Sequence, residues 1–206
     1  MYDPVLDPIF YAYEENFADD PDLHISFYET NAYVFSATRN FDAQRLFKYE
    51  AIAGNYLGAL LVKKQYKKVA EQSGVILDII ERDLVHLKID PAEDTCYKHI
   101  LFNSAYAKFY RMTYLSAYRD LKKLVAYDPD NPVIKMWLDV AKYRYYEYAL
   151  LFVSLIIVGG FSFYKPYLPL SGRIIILTGG VVFGFTALWF EYLARKTWKA
   201  KNALKP

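Results

Sequence analysis

Cys96, with His99 three positions on, Asp94 just ahead and His86 on the preceding segment, is the constellation in this 206-residue sequence whose residue types come nearest to holding a metal. A structural zinc site draws four ligands, normally as two clear pairs, and one Cys-x-x-His spacing supplies a single pair. No metal and no cofactor is therefore expected, and His24, His86 and His99 read as surface or capping residues. Cys96 is the only cysteine, which excludes an intrachain disulfide and fits a reducing compartment. No flanking motif activates its thiol, so it reads as a small buried or half-buried side chain. Glu14-Glu15 and Asp19-Asp20 could do acid–base work, but they lie in a stretch of like charge where solvation and helix N-termini account for them. Lys63, Lys64, Lys67 and Lys68 read as a solvated face around a helix turn. With no glycine-rich phosphate loop, nucleophile elbow, His-Glu-x-x-His or Cys-x-x-Cys, the chain is not expected to be an enzyme.

The elements that must position these residues are helices. No long period-two alternation and no Asn-Gly or Asp-Gly turn appears. Val5, Leu6, Ile9, Phe10, Tyr13 and Phe17 recur on one helical face, and Asp3-Pro4, Asp20-Pro21, Asp90-Pro91 with Glu93, and Asn131-Pro132 each mark a helix start. The pattern predicts helices over 4–17, 22–38, 42–53, 55–64, 67–87, 92–111, 114–127 and 132–148. Asn40, Gln65, Met112 and 128–131 are the expected turns. Connections this short make neighbours antiparallel, and successive antiparallel pairs stack into a solenoid.

Residues 101–132 resemble a tetratricopeptide repeat. Ala105 and Ala117 stand where the two helices of such a unit approach, Tyr114 opens the second helix, and Asp128-Pro129 closes it. Leu101, Ser104, Lys108 and Leu124 depart from the pattern, which prefers Trp, Leu, Tyr and Ala there. Weaker copies run from Tyr56 through Ala59 and Lys63 to Ala70, and from Asn31 through Arg39 to Ala43. The resemblance implies a TPR-like helical-hairpin solenoid over 1–147. It further implies a concave surface on which His99, Phe102, Asn103, Tyr106, Phe109 and Tyr110 hold a protein partner or peptide, with Asn103 bonding its main chain. The other role open to these aromatics is packing on the adjoining repeat. The chain has 21 Tyr and 14 Phe, and Tyr offers stiff contact area with a polar tip at interfaces.

After the soluble part come two stretches, 148–164 and 174–190, each without a charge and separated by the proline-containing turn 165–173. Spanning helices need about 17–25 apolar residues, and Tyr145, Tyr146, Tyr148, Tyr164, Tyr167, Trp189, Tyr192 and Trp198 can extend each run into the headgroup layers. The expected architecture is all-α, with a transmembrane hairpin over 148–194 and a basic tail over 195–206. Lys135, Lys142, Arg144, Arg195, Lys196, Lys199, Lys201 and Lys205 flank the pair, against Lys165 and Arg173 between them, which places both termini in the cytoplasm. Residues 1–30 contain eight acids and no Lys or Arg, so no export signal is expected there.

Net charge divides the same way: −4 over 1–147 (18 basic, 22 acidic) and +6 over 148–206 (7 basic, 1 acidic). The basic end suits anionic cytoplasmic lipid and gives no reason to expect nucleic acid. Gly180 and Gly184, with Gly159 and Gly160 in the first run, allow close helix packing within the hairpin or in a homo-oligomer. No charge lies inside either run, which argues against a transporter. The expected function is a membrane-anchored scaffold or adaptor that recruits a protein partner, at a bacterial inner membrane. The alternative is a structural or assembly subunit of a membrane complex whose hairpin makes the specific contacts.

Overall fold

The computed structural model describes residues 3–15, 20–164 and 169–202. Among these residues there are eight α-helices and no strand. They are α1 (Leu6–Glu15), α2 (Pro21–Ala37), α3 (Ala43–Val62), α4 (Tyr66–Leu87), α5 (Thr95–Tyr110), α6 (Tyr114–Tyr127), α7 (Pro132–Tyr164) and α8 (Leu170–Asn202). The chain forms two compact units, Met1–Asn131 and Pro132–Pro206.

In the first unit, aspartate side chains set the helix starts by accepting from free first-turn amides. Asp3 Oδ1 takes Val5 N–H (2.9 Å) and Leu6 N–H (3.0 Å), Asp20 takes Asp22 N–H (2.9 Å), Asp42 takes Arg45 N–H (2.9 Å) and Asp94 takes Tyr97 N–H (2.9 Å). Asp90-Pro91 does not open a helix. Asp90 Oδ1 accepts from Ala92 N at 2.8 Å and closes a turn, so α5 begins at Thr95, where Asp94 caps it, and not at 92. The expected pair 42–53 and 55–64 is likewise one helix, α3. Gly54 keeps a helical backbone there, and a Cβ on it would meet Ile100 Cγ1 of α5 at 3.9 Å, an ordinary contact, so nothing at this glycine ends the helix.

Three helix ends share one geometry. Lys64, Lys88 and Met112 take φ of 57°, 58° and 61°, and the following amide reaches back to form Gln65 N–H to Leu60 O, Ile89 N–H to Leu84 O and Thr113 N–H to Lys108 O at 2.9–3.0 Å. This left-handed cap satisfies carbonyls that a helix end leaves open, here without glycine. Asn40 (φ 62°) turns the chain between α2 and α3.

Packing accounts for much of the aromatic surplus. Phe10, Phe35, Phe41, Tyr49, Tyr56 and Tyr97 are fully buried, with Tyr28 stacked on Tyr56 (ring centroids 4.1 Å) and Phe41 on Tyr49 (5.3 Å). Their hydroxyls are held: Tyr97 donates to Glu81 (2.7 Å), and the Tyr28 and Tyr49 hydroxyls meet at 3.3 Å. Buried Asp83 receives both Arg82 and Phe41 N–H, pinning the α2–α3 connection to α4. On α1, Leu6, Phe10 and Tyr13 are buried as the spacing predicts and Ile9 is half-buried; Val5, just ahead of the helix, is exposed, and Phe17 lies outside the described residues.

The second unit is a pair of long helices packed along each other. The helix expected over 132–148 and the apolar run 148–164 are one continuous α7, so the division read at 147 falls inside a helix. Likewise 174–190 lies within α8, which carries the basic segment on as helix to Asn202. Residues 165–168 of the intervening turn lie outside the described residues. Both helices are long and apolar enough to cross a membrane. Almost none of either apolar stretch is buried: Leu155, Ile175 and Phe185 are each 70% exposed, unlike core helices of a water-soluble fold.

Candidate functional site

Helix α5 packs on α3, α4 and α6. Its residues Phe102, Tyr106, Phe109 and Tyr110 form a chain of ring contacts, with Phe102–Tyr106 at 6.4 Å, Tyr106–Tyr110 at 4.7 Å and Phe109–Tyr110 at 5.9 Å. Tyr66, the first residue of α4, stacks on Tyr110 at 4.9 Å and 12°, and Tyr114, the first of α6, meets Phe109 edge-on at 5.2 Å. The cluster therefore packs internally and still presents a surface: Tyr106 is half-buried and Tyr110 is 44% exposed. Burial, and then Tyr110 beside it, push the Tyr106 hydroxyl well above its ordinary pKa, so it stays a neutral hydrogen-bonding group. His99 is exposed on the same helix. Asn103 is buried, and its Nδ2 has no hydrogen-bond partner among the described residues.

Two departures from the repeat pattern serve a polar chain across three helices. Ser73 Oγ on α4 donates to Ser104 Oγ (3.0 Å), Ser104 donates to Asp120 Oδ2 on α6 (3.0 Å), and Lys108 Nζ reaches the same oxygen at 2.6 Å. Leucine at 104 and tyrosine at 108 would have removed this connection. Small Ala105, Ala107 and Ala117 are completely buried, where close helix approach needs them.

A second cluster lies where α3 meets the start of α5. Glu50, Asp94 and Cys96 bring one donor atom each within 4.8 Å of one another, beside a cavity of about 330 Å³ also lined by Leu46, Ile89 and Thr95. Glu50 is only 2% exposed, and its Oε1 has no hydrogen-bond partner. Burial, and then the Asp94 carboxylate beside it, raise Glu50 to a pKa of about 8. Burial and the same two carboxyl groups push the Cys96 thiol up. Asp94 and Cys96 thus meet Glu50, while His86 and His99 are not part of the cluster. Sequence reasoning missed Glu50. The available signal was its place on the buried stripe of α3 formed by Leu46, Ala53, Leu57 and Leu60, where an acid has no ordinary role.

Among the remaining acids, Glu14 pairs with Lys48 (2.7 Å) and Asp20 caps α2, while Asp19 lies outside the described residues. Lys63 pairs with Asp22 at 2.7 Å. In the hairpin, a Cβ on Gly180 would touch Val158 Cγ2 at 3.6 Å, so Gly180 faces α7. Gly159, Gly160 and Gly184 meet nothing within 4 Å. Glu147, the last charge before the first apolar run, is paired with Arg144 (2.7 Å), and Thr186 Oγ1 donates to Val182 O (2.8 Å), which settles a hydroxyl inside the second.

No family model, curated protein or solved structure matches this chain.

Proposed function

We propose that the chain is a membrane-anchored protein-interaction scaffold or adaptor, in which a TPR-like helical domain recruits a protein partner or peptide beside a bilayer that α7 and α8 cross. The observation that carries this reading is the outward apolar surface of those two helices, which only lipid or other apolar helices would cover. Eight basic residues flank the pair, and this supports a cytoplasmic placement of both termini, as at a bacterial inner membrane, with the tail against anionic lipid.

The repeat reading draws on α3–α4 and α5–α6. Both hairpins turn through a left-handed residue, both open their second helix with tyrosine, and α5 packs on α3 and α4 together. The recruiting surface is the α5 face of His99, Phe102, Asn103, Tyr106, Phe109 and Tyr110. Tethering confines a partner to a thin layer, so modest affinity suffices.

The test has two arms. The protein stays in the pellet after alkaline carbonate washing and leaves it with detergent; release by carbonate alone removes the anchor. Crosslinking in native membranes recovers a partner from the wild type and loses it with Tyr106→Ala and Tyr110→Ala together; unchanged recovery removes the α5 surface.

A second reading is favoured by Gly159, Gly160 and Gly184, which have open space in the hairpin. Here the chain is a structural or assembly subunit, or a homo-oligomer, whose specific contacts are made within the bilayer.

A further inference from the structure

The geometry points to a binding site for a single divalent transition-metal ion of the zinc class, held by Glu50 of α3 and by Asp94 and Cys96 at the start of α5. Two carboxyls and a thiol converge with no Lys, Arg or His paired to any of them among the described residues. Ionising all three together in this setting is costly unless a cation is added. The independent observation is Glu50 Oε1: it is buried and unpartnered, on a side chain that lines the same cavity as Asp94 and Cys96. A buried acceptor left without a donor normally signals a missing proton or ion.

The donor set selects the ion. One sulfur and two carboxylate oxygens suit zinc or cobalt(II), whereas calcium and magnesium take oxygens only. A metal about 2.0–2.3 Å from each ligand places donor pairs roughly 3.2–3.8 Å apart, and side-chain rotation closes the present spread of up to 4.8 Å to that value. Asp94 is held for the purpose, since its Oδ1 already accepts Tyr97 N–H and leaves Oδ2 to ligate. Three protein ligands leave a fourth position facing the cavity, where water or a partner's side chain completes the tetrahedron. Because α3 and α5 belong to successive hairpins, the ion also fastens one hairpin to the next.

The test uses the full chain in detergent, stripped with chelator and titrated with Co²⁺. As Cys96 is the only cysteine, a sulfur-to-cobalt charge-transfer band reports on this site alone. The expected result is one Co²⁺ per chain, displaced by Zn²⁺, with the band absent in Cys96→Ser and affinity at least tenfold weaker in Glu50→Gln. Zn²⁺ also raises the thermal midpoint of the wild type and leaves Cys96→Ser unmoved. A wild type that shows no band, or whose Zn²⁺ stabilisation persists in both variants, overturns the site. Circular dichroism confirms that each variant keeps its helices, and Cys96→Ala replaces Cys96→Ser if the latter does not.

Discussion

Asn55 on α3 and Asn103 on α5 stand the same number of positions before the left-handed residue of their hairpins, Lys64 and Met112, yet only one amide is used. Asn55 Nδ2 donates to the Tyr13 hydroxyl at 2.8 Å, and that hydroxyl lies 3.0 Å from His24 Nδ1. Asn103 Nδ2 has no such partner. The asymmetry predicts opposite stability effects. Asn55→Leu strands the Tyr13–His24 pair and costs about 1 kcal/mol in chemical denaturation, whereas Asn103→Leu is neutral or stabilising by a similar amount. If Asn103 binds a partner's main chain, the same Asn103→Leu lowers crosslinked recovery.

Glu50 gives a pH signature in the presence of chelator. Its folded pKa of about 8 lies above the ordinary carboxyl value of 4.5, so the folded state holds the proton more tightly. That contribution is fully present below pH 4.5, declines as pH rises and is gone above 8. Glu50→Gln, which mimics the protonated form, gains on the wild type by up to about 1.4 kcal/mol per pH unit across this window. Denaturation midpoints at pH 5 and pH 8.5 measure it, and equal differences at the two values contradict the burial of this carboxyl.

The chain Ser73–Ser104–Asp120–Lys108 should behave as one unit. Asp120→Ala leaves a buried serine and a half-buried lysine without their acceptor and costs about 1–3 kcal/mol. A double-mutant cycle with Lys108→Met returns a coupling of order 1 kcal/mol, since both side chains are about one-fifth exposed. Additive losses would show that the two groups act separately.

Glycine substitutions separate packing within the hairpin from contacts outside it. Gly180→Leu drives a side chain into Val158 and lowers the thermal midpoint of the isolated protein in detergent. Gly184→Leu enters open space, so it leaves that midpoint unchanged and shifts only a larger assembly, read by crosslinking in membranes.

Helix identity was legible because local signals carried it. The Asp3, Asp20 and Asn131 starts, the turns at Asn40 and Met112 and the two uncharged runs all rest on neighbouring residues. Reading failed where distant contacts decide. Gly54 falls between two expected helices because glycine lowers helix propensity, whereas packing on α4 and α5 carries α3 through it, and Asp90 is displaced as a cap because Asp94 takes the same role. Ser104 and Lys108 depart from the repeat pattern because both bind Asp120, sixteen and twelve positions on, which no local rule reaches. Glu50 is separated from Asp94 and Cys96 by the whole of α4, and no spacing rule joins them.

Helix α7 is 33 residues long without interruption, about 50 Å at 1.5 Å per residue, against a hydrocarbon layer of about 30 Å. A bilayer that sets the angle of residues near Tyr164 therefore sets the direction of Pro132 as well. In the proposed anchoring such a helix would work as a lever arm, carrying a change of membrane thickness or curvature to its far end.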